Sequence, residues 1–141
     1  MRIAILNGPN LNLLGMRETG IYGDENLDSI LDRLRSSFPG IELIHAQYNL
    51  EGDMVAGIQY WGIHAQGIVI NPGGYTHTSV AIADALRSVP APAVEVHLSH
   101  LHKREAYRRK SITAPACRGI ISGFGPDSYR LGIEALIKIL D

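Results

Sequence analysis

Short apolar runs alternate with stretches of helical periodicity along the chain, and that alternation leaves few folds open. The runs fall at residues 3–6, 41–47, 67–70, 93–97 and 119–122. Between them Leu27, Ile30, Leu31, Leu34 and Phe38 recur at helical spacing, as do Met54, Val55, Ile58 and Trp61. Residues 79–86 read as a third helix, and Leu131, Ile133, Leu136, Ile137 and Leu140 as the apolar face of a last one. Pro39-Gly40 ends the first helix, and Pro90-Ala91-Pro92 parts the third from the fourth strand. Strand and helix in strict alternation predict a parallel sheet, covered on both faces and joined by right-handed crossovers. Five strands in one domain over residues 1–141 suit an α/β, flavodoxin-like three-layer sandwich of strand order 2-1-3-4-5 better than a six-strand dinucleotide fold.

Composition removes several function classes. Hydrophobic residues make up 45% of the 141 residues and charged residues 19%, which supports a packed core. The formal charge of −1 gives no basic excess to attract nucleic acid or an anionic membrane. Cys117 is the only cysteine, so neither a disulfide framework nor a cysteine metal cluster is expected. No stretch approaches the ~18 apolar residues of a membrane span. The apolar run within residues 1–7 is too short for a signal peptide, and the expectation is a cytoplasmic protein.

In a parallel sheet every strand's carboxyl end meets one edge, and the polar clusters gather there. Asn7 and Asn10 follow the first strand, Asn71-Pro72-Gly73-Gly74-Tyr75-Thr76-His77 the third, and Glu95 and His97 close the fourth. That convergence predicts a site. The glycine-rich dinucleotide and P-loop fingerprints are absent, and no nucleophile elbow surrounds Ser79 or Ser99. Lys103, Lys110 and Lys138 lie in no buried strand, which argues against Schiff-base chemistry. The histidines form no helical metal-binding pair, and His100 and His102 point to opposite sides if extended, so no metal is expected.

Acid–base chemistry by tyrosine, histidine and arginine remains. Glu95 and His97, two apart on a strand, share a face, and a carboxylate beside an imidazole orients the ring for use as a general acid. The pair reads equally well as a structural ion pair at a strand end. Arg17 and Tyr22 share a long connection, residues 11–24, of the kind that forms a lid. A free phenol, with a pKa of about 10, is a poor base near neutrality. One or two guanidiniums in a closed site favour its phenolate. The plainer reading is an exposed loop with a solvated arginine. Arg104 and Arg108, at i and i+4, would share a helical face suited to a carboxylate or polyhydroxylated anion, or simply be a solvated basic surface.

Taken together, the motifs resemble the type II 3-dehydroquinate dehydratases. The resemblance rests on Asn7-Gly8-Pro9-Asn10-Leu11-Asn12-Leu13-Leu14-Gly15 with Arg17 and Tyr22-Gly23, then Glu51-Gly52, residues 71–79, Glu95-Val96-His97-Leu98-Ser99, Arg104-Glu105 with Arg108, and Gly123-Phe124-Gly125. It spans nearly the whole chain in one register. It implies a hydro-lyase that dehydrates 3-dehydroquinate to 3-dehydroshikimate with trans stereochemistry, through an enolate and without metal or cofactor, and assembly as a homododecamer of trimers. It also implies roles. Tyr22 would be the base, Arg17 would hold it as phenolate, and Asn10 would position a water at the enolate oxygen. His97, oriented by Glu95, would protonate the leaving hydroxyl. Asn71, His77 and Arg108 would hold ring hydroxyls, and the backbone at Leu98 and Ser99 would take the carboxylate. Arg104 would close the lid, and Asp84 would reach a neighbouring subunit's site. His100, Tyr48-Asn49-Leu50 and Thr19-Gly20 depart from the usual pattern but replace none of these groups. Two alternatives stand beside this reading: a dehydratase of a different hydroxy-keto acid, suggested by His100, and a non-catalytic flavodoxin-like binding module, for which Pro9, lacking an N–H, makes a poor phosphate cradle.

Overall fold

The computed structural model describes residues 1–16 and 18–141. Its strands are β1 (Arg2–Asn7), β2 (Glu42–Gln47), β3 (Gly67–Asn71), β4 (Ala93–His97) and β5 (Gly119–Ser122). All pair in parallel, in the order β2-β1-β3-β4-β5. This is the flavodoxin-like order expected from five strands alternating with helices. The helices are α1 (Thr19–Tyr22), α2 (Leu27–Ser37), α3 (Glu51–His64), α4 (Val80–Arg87) and α5 (Asp127–Leu140). Among the described residues, no helix is long and apolar enough to cross a membrane.

Strand alternation sorts the core into two layers. Ile3, Ile5, Val69, Val94 and Val96 face α2 and α5, where they meet Ile30, Leu31, Leu34, Ile133 and Leu136. Ala4, Leu6, Ile68, Ile70 and Ala93 face α3 and α4, against Met54, Ile58, Ile82 and Leu86. Each fully buried aliphatic side chain contributes about 1.5–3 kcal/mol. Trp61 is half-buried against the second layer, the packing role expected of it. Two helices start on the signals their sequences carry. Asn26 accepts from the Ser29 N–H and Ser79 from the Ile82 N–H, both at 2.9 Å, each cap being worth about 1 kcal/mol.

Three local expectations need correction. The buried face of α5 is Tyr129, Gly132, Ile133 and Leu136, whereas Leu131, Ile137 and Leu140 are only half-buried. The helix is rotated because Gly132 fits against the sheet: a Cβ there would come within 2.8 Å of Val96 Cγ1. Arg104 and Arg108 do not share a helical face. Two short 3₁₀ turns, Leu101–Lys103 and Ala106–Arg109, are parted by extended backbone at Arg104. His100 and His102 are not splayed apart, because that first turn brings their rings edge-on at 6.1 Å.

The register lines up the polar strand ends. Asn7 pairs with Gln47 on one side and Asn71 on the other, Ile70 pairs with Glu95, and His97 with Ser122. Beyond that edge the chain from β1 lies against the chain from β3. The Gly8 N–H donates to the Asn71 carbonyl at 2.8 Å, and any Cβ on Gly8 would collide with the Pro72 carbonyl.

Candidate active site

A cleft of about 110 Å³ opens at this edge, on the scale of one small ring-sized molecule. Its wall includes Asn10, Tyr22, Asn71, His77, His97, Leu98, Ser99, Arg104 and Arg108. Glu95 sits directly behind His97, wholly buried. Asp84 is exposed on α4, facing Arg87 at 3.5 Å, and does not reach the cleft of its own chain. Arg17, expected beside Tyr22, lies outside the described residues.

The lid expected over residues 11–24 has local structure of its own. Leu11 and Leu14 are buried and pin its first half through the 3₁₀ turn Leu11–Leu13. Asn10 precedes that turn in the left-handed region, with φ 68°, a conformation asparagine tolerates better than most residues. Its N–H donates to Asn49 Oδ1 at 3.2 Å, and Gln47 donates to the same oxygen at 2.9 Å. Tyr22 closes α1. Arg104 Nη1 donates to its phenol oxygen at 2.6 Å and to Ser99 Oγ at 3.4 Å, with the guanidinium 5.2 Å from the tyrosine ring centre. Such charge-assisted bonds are the strong ones.

On the opposite wall, His97 and Glu95 sit on one face of β4. His97 Nε2 donates to Glu95 Oε1 at 2.7 Å, which leaves Nδ1 as the other ring nitrogen. Ser111 Oγ donates to Glu95 Oε1 at 3.0 Å and Thr113 Oγ1 to Oε2 at 2.5 Å. A buried carboxylate costs several kcal/mol unless its oxygens are satisfied, and here both are. Sequence reasoning missed Ser111 and Thr113, whose hydroxyls carry no periodicity or motif.

The floor is set by amide geometry. Asn71 donates through Nδ2 to Tyr129 Oη at 3.2 Å and accepts at Oδ1 from the Gly73 N–H at 3.2 Å. One amide hydrogen and one lone pair remain for a ligand. Tyr129 donates in turn to Asn7 Oδ1 at 2.6 Å, and Asn7 Nδ2 contacts His45 Nε2 at 3.1 Å. Burial pushes the Tyr129 hydroxyl's pKa well up, so it stays a neutral structural donor. Tyr129 also escaped sequence reasoning, because an aromatic at the start of a helix reads as ordinary core. His77 Nδ1 donates to the Lys110 carbonyl at 2.7 Å. Burial lowers the His77 pKa, against the opposing pull of its bond to the Lys110 carbonyl and with His97 and Arg108 adding to the lowering, so Nε2 is an acceptor at neutral pH. Arg108 is held by Glu105 through Nε at 2.8 Å. The carbonyls of Leu98 and Ser99 accept from the Gly125 N–H at 3.0 Å and from Ser122 Oγ at 2.9 Å.

Fold and cleft define a flavodoxin-like α/β protein that sets a phenol and an imidazole, each with its own charged partner, around a small polar cleft at the sheet's carboxyl edge. The chain matches the Dehydroquinase class II family model over residues 1–137 and belongs to that family. It is 54% identical over 142 residues to a 3-dehydroquinate dehydratase of Carboxydothermus hydrogenoformans, covering 99% of this chain and 92% of that protein. A type II dehydroquinase structure from Butyrivibrio crossotus superposes with a TM-score of 0.94 at 43% identity, covering 97% of each chain. Another, from Propionibacterium acnes, gives 0.90 at 36% identity, covering 99% of this chain and 95% of the other.

Proposed function

We propose that this protein is a lyase that dehydrates 3-dehydroquinate, giving 3-dehydroshikimate with trans stereochemistry. The observation that carries the reading is the pairing across one cleft: Tyr22 with Arg104 on one wall, His97 with Glu95 on the other. A stepwise elimination needs a base and a separate acid, held apart so that neither quenches the other.

Tyr22, as phenolate, removes the proton beside the ketone. Arg104 stabilises that phenolate, and Arg17 joins it on the strength of the family pattern. The carbon–hydrogen electron pair moves into an enolate, whose oxygen gains charge. Asn10 holds a water against that oxygen, a fixed donor where charge develops. The enolate then collapses, the bond to the tertiary hydroxyl breaks, and His97 delivers a proton so that water departs. Asn71, His77 and Arg108 hold the ring hydroxyls, and the backbone at Leu98 and Ser99 takes the carboxylate. Asp84 points away from its own cleft, which suits a residue that completes a neighbouring subunit's site within a homododecamer.

The decisive experiment adds 3-dehydroquinate to purified protein and follows the ultraviolet absorbance of the conjugated enone carboxylate. Turnover is expected. No signal from the wild-type protein at micromolar enzyme would sink the reading. Sedimentation velocity tests the assembly, and a monomer with full activity would overturn the role of Asp84.

A further inference from the structure

We propose that Thr113, together with Ser111, is a positioning residue for the acid half of the reaction: the two hydroxyls fix the plane of the Glu95 carboxylate, and through it the ring of His97. The inference rests on the assignment of His97 as the acid. The hydrogens leave little choice of arrangement. Ser111 Oγ accepts from the Ala114 N–H at 2.8 Å, so its own proton is free to go to Glu95 Oε1 at 3.0 Å. Thr113 Oγ1 is 2.5 Å from Glu95 Oε2 and 3.3 Å from Ser111 Oγ, so its single proton goes to the carboxylate. Each carboxylate oxygen therefore has its own hydroxyl donor, and Oε1 also receives His97 Nε2–H at 2.7 Å. Rotating the carboxylate would break all three bonds together. His97 is thus held with Nε2 on Glu95 and cannot swing toward the cleft on that nitrogen.

The clamp is built on a strap. The Ile112 N–H donates to the Thr76 carbonyl at 2.8 Å, which ties the strap to the turn that floors the cleft. The Ala116 N–H donates to the Thr113 carbonyl at 3.0 Å, closing a 3₁₀ turn directly after the clamp. Thr113 itself is wholly buried, so its hydroxyl has no water to exchange with. A buried threonine that served only to fill space would be replaceable by valine. One that orients Glu95 would not.

The test compares Thr113→Val, of the same shape without the hydroxyl, with Thr113→Ser, which keeps it. Thr113→Val should lower kcat by about 10- to 100-fold with KM within about threefold, because binding groups are untouched and only the acid is misaligned. Thr113→Ser should recover kcat to within about threefold of wild type. In a Glu95→Gln background, Thr113→Val should cost less than about twofold, since the two act as one unit. Wild-type kcat in Thr113→Val, or equal losses in the valine and serine variants, or full additivity with Glu95→Gln, would overturn the proposal. A second readout needs no substrate. The proton shared by His97 Nε2 and Glu95 should give a downfield imidazole N–H resonance in wild type and Thr113→Ser that is shifted or lost in Thr113→Val. If the wild type does not turn over 3-dehydroquinate, that resonance still decides the clamp: an unchanged signal in Thr113→Val refutes it.

Discussion

Arg104 is the residue where the two walls of the cleft meet. It reaches from the chain after β4 to the phenol oxygen of Tyr22 on the lid, and touches Ser99 on the way. Only 10% of its side chain is exposed, so its charge acts in a partly desolvated space where Coulomb interactions weaken less than in water. Glu105 lies 3.6 Å from its Nε, close enough to steer the guanidinium and too far to compete with the shorter phenol contact. Two substitutions separate the roles. Tyr22→Phe keeps the ring and removes the oxygen, so turnover should fall by at least about 10³-fold, toward the upper end of what a general base contributes. Substrate affinity by calorimetry should stay near wild type. Arg104→Lys keeps a positive charge but is shorter and loses the guanidinium whose Nη1 donates to both Tyr22 and Ser99. Its kcat should fall by about 10- to 100-fold. An active Tyr22→Phe would refute the base assignment, and a wild-type kcat in Arg104→Lys would leave the guanidinium geometry without a role.

Elements differ in how plainly the chain announces them. The strands and α2, α3 and α4 were legible because a short apolar run, or apolar residues at helical spacing, is a local property of the sequence. Glu95 and His97 were legible as a pair for the same reason, since period two alone puts them on one face. The contact of Tyr22 with Arg104 was not, because 82 residues separate them and only the folded lid brings them together. Nor was the pair of 3₁₀ turns after β4. The spacing of Arg104 and Arg108 reads as one helical face, whereas the backbone is extended at Arg104, between the two turns. The turn at Gly8 carries a prediction at this scale. Its Cβ position is filled by the Pro72 carbonyl, so Gly8→Ala must push the chains after β1 and β3 apart. Because backbone cannot give way as a side-chain tip can, a loss of about 1–3 kcal/mol is expected in urea unfolding. Asn10 and Asn71 would separate, so kcat/KM should fall beyond what stability explains. An unchanged unfolding midpoint in Gly8→Ala would mean the two chains are not pressed together in solution.

At the scale of the whole molecule, two half-buried histidines on opposite sides of β1 link folding to pH. His45 sits on β2 and accepts from Asn7 through Nε2, while His77 donates to Lys110 and faces the cleft. Burial lowers the pKa of both. Arg35 adds to the effect at His45 against a weaker opposing pull from Asp28; at His77 the bond to the Lys110 carbonyl opposes it, while His97 and Arg108 add to it. The sign follows from proton counting. In the unfolded chain each imidazole titrates near its ordinary value of about 6.5. In the folded protein each takes its proton only at lower pH. Between those two points the unfolded state binds more protons, so stability falls as pH drops. It is fully present above about 6.5 and levels off once pH passes below the depressed folded values. For His45 the cost also has a structural form, since a protonated Nε2 can no longer accept from Asn7, and Asn7 anchors Tyr129 and, through it, Asn71. Urea midpoints measured from pH 7.5 down to 5.5 should therefore decline, with the decline beginning near 6.5. His45→Gln, which offers an amide oxygen to Asn7 without titrating, combined with His77→Gln, should flatten that slope. A wild-type midpoint that is level across this range, or a slope unchanged in the double variant, would show that neither imidazole is held neutral by the fold.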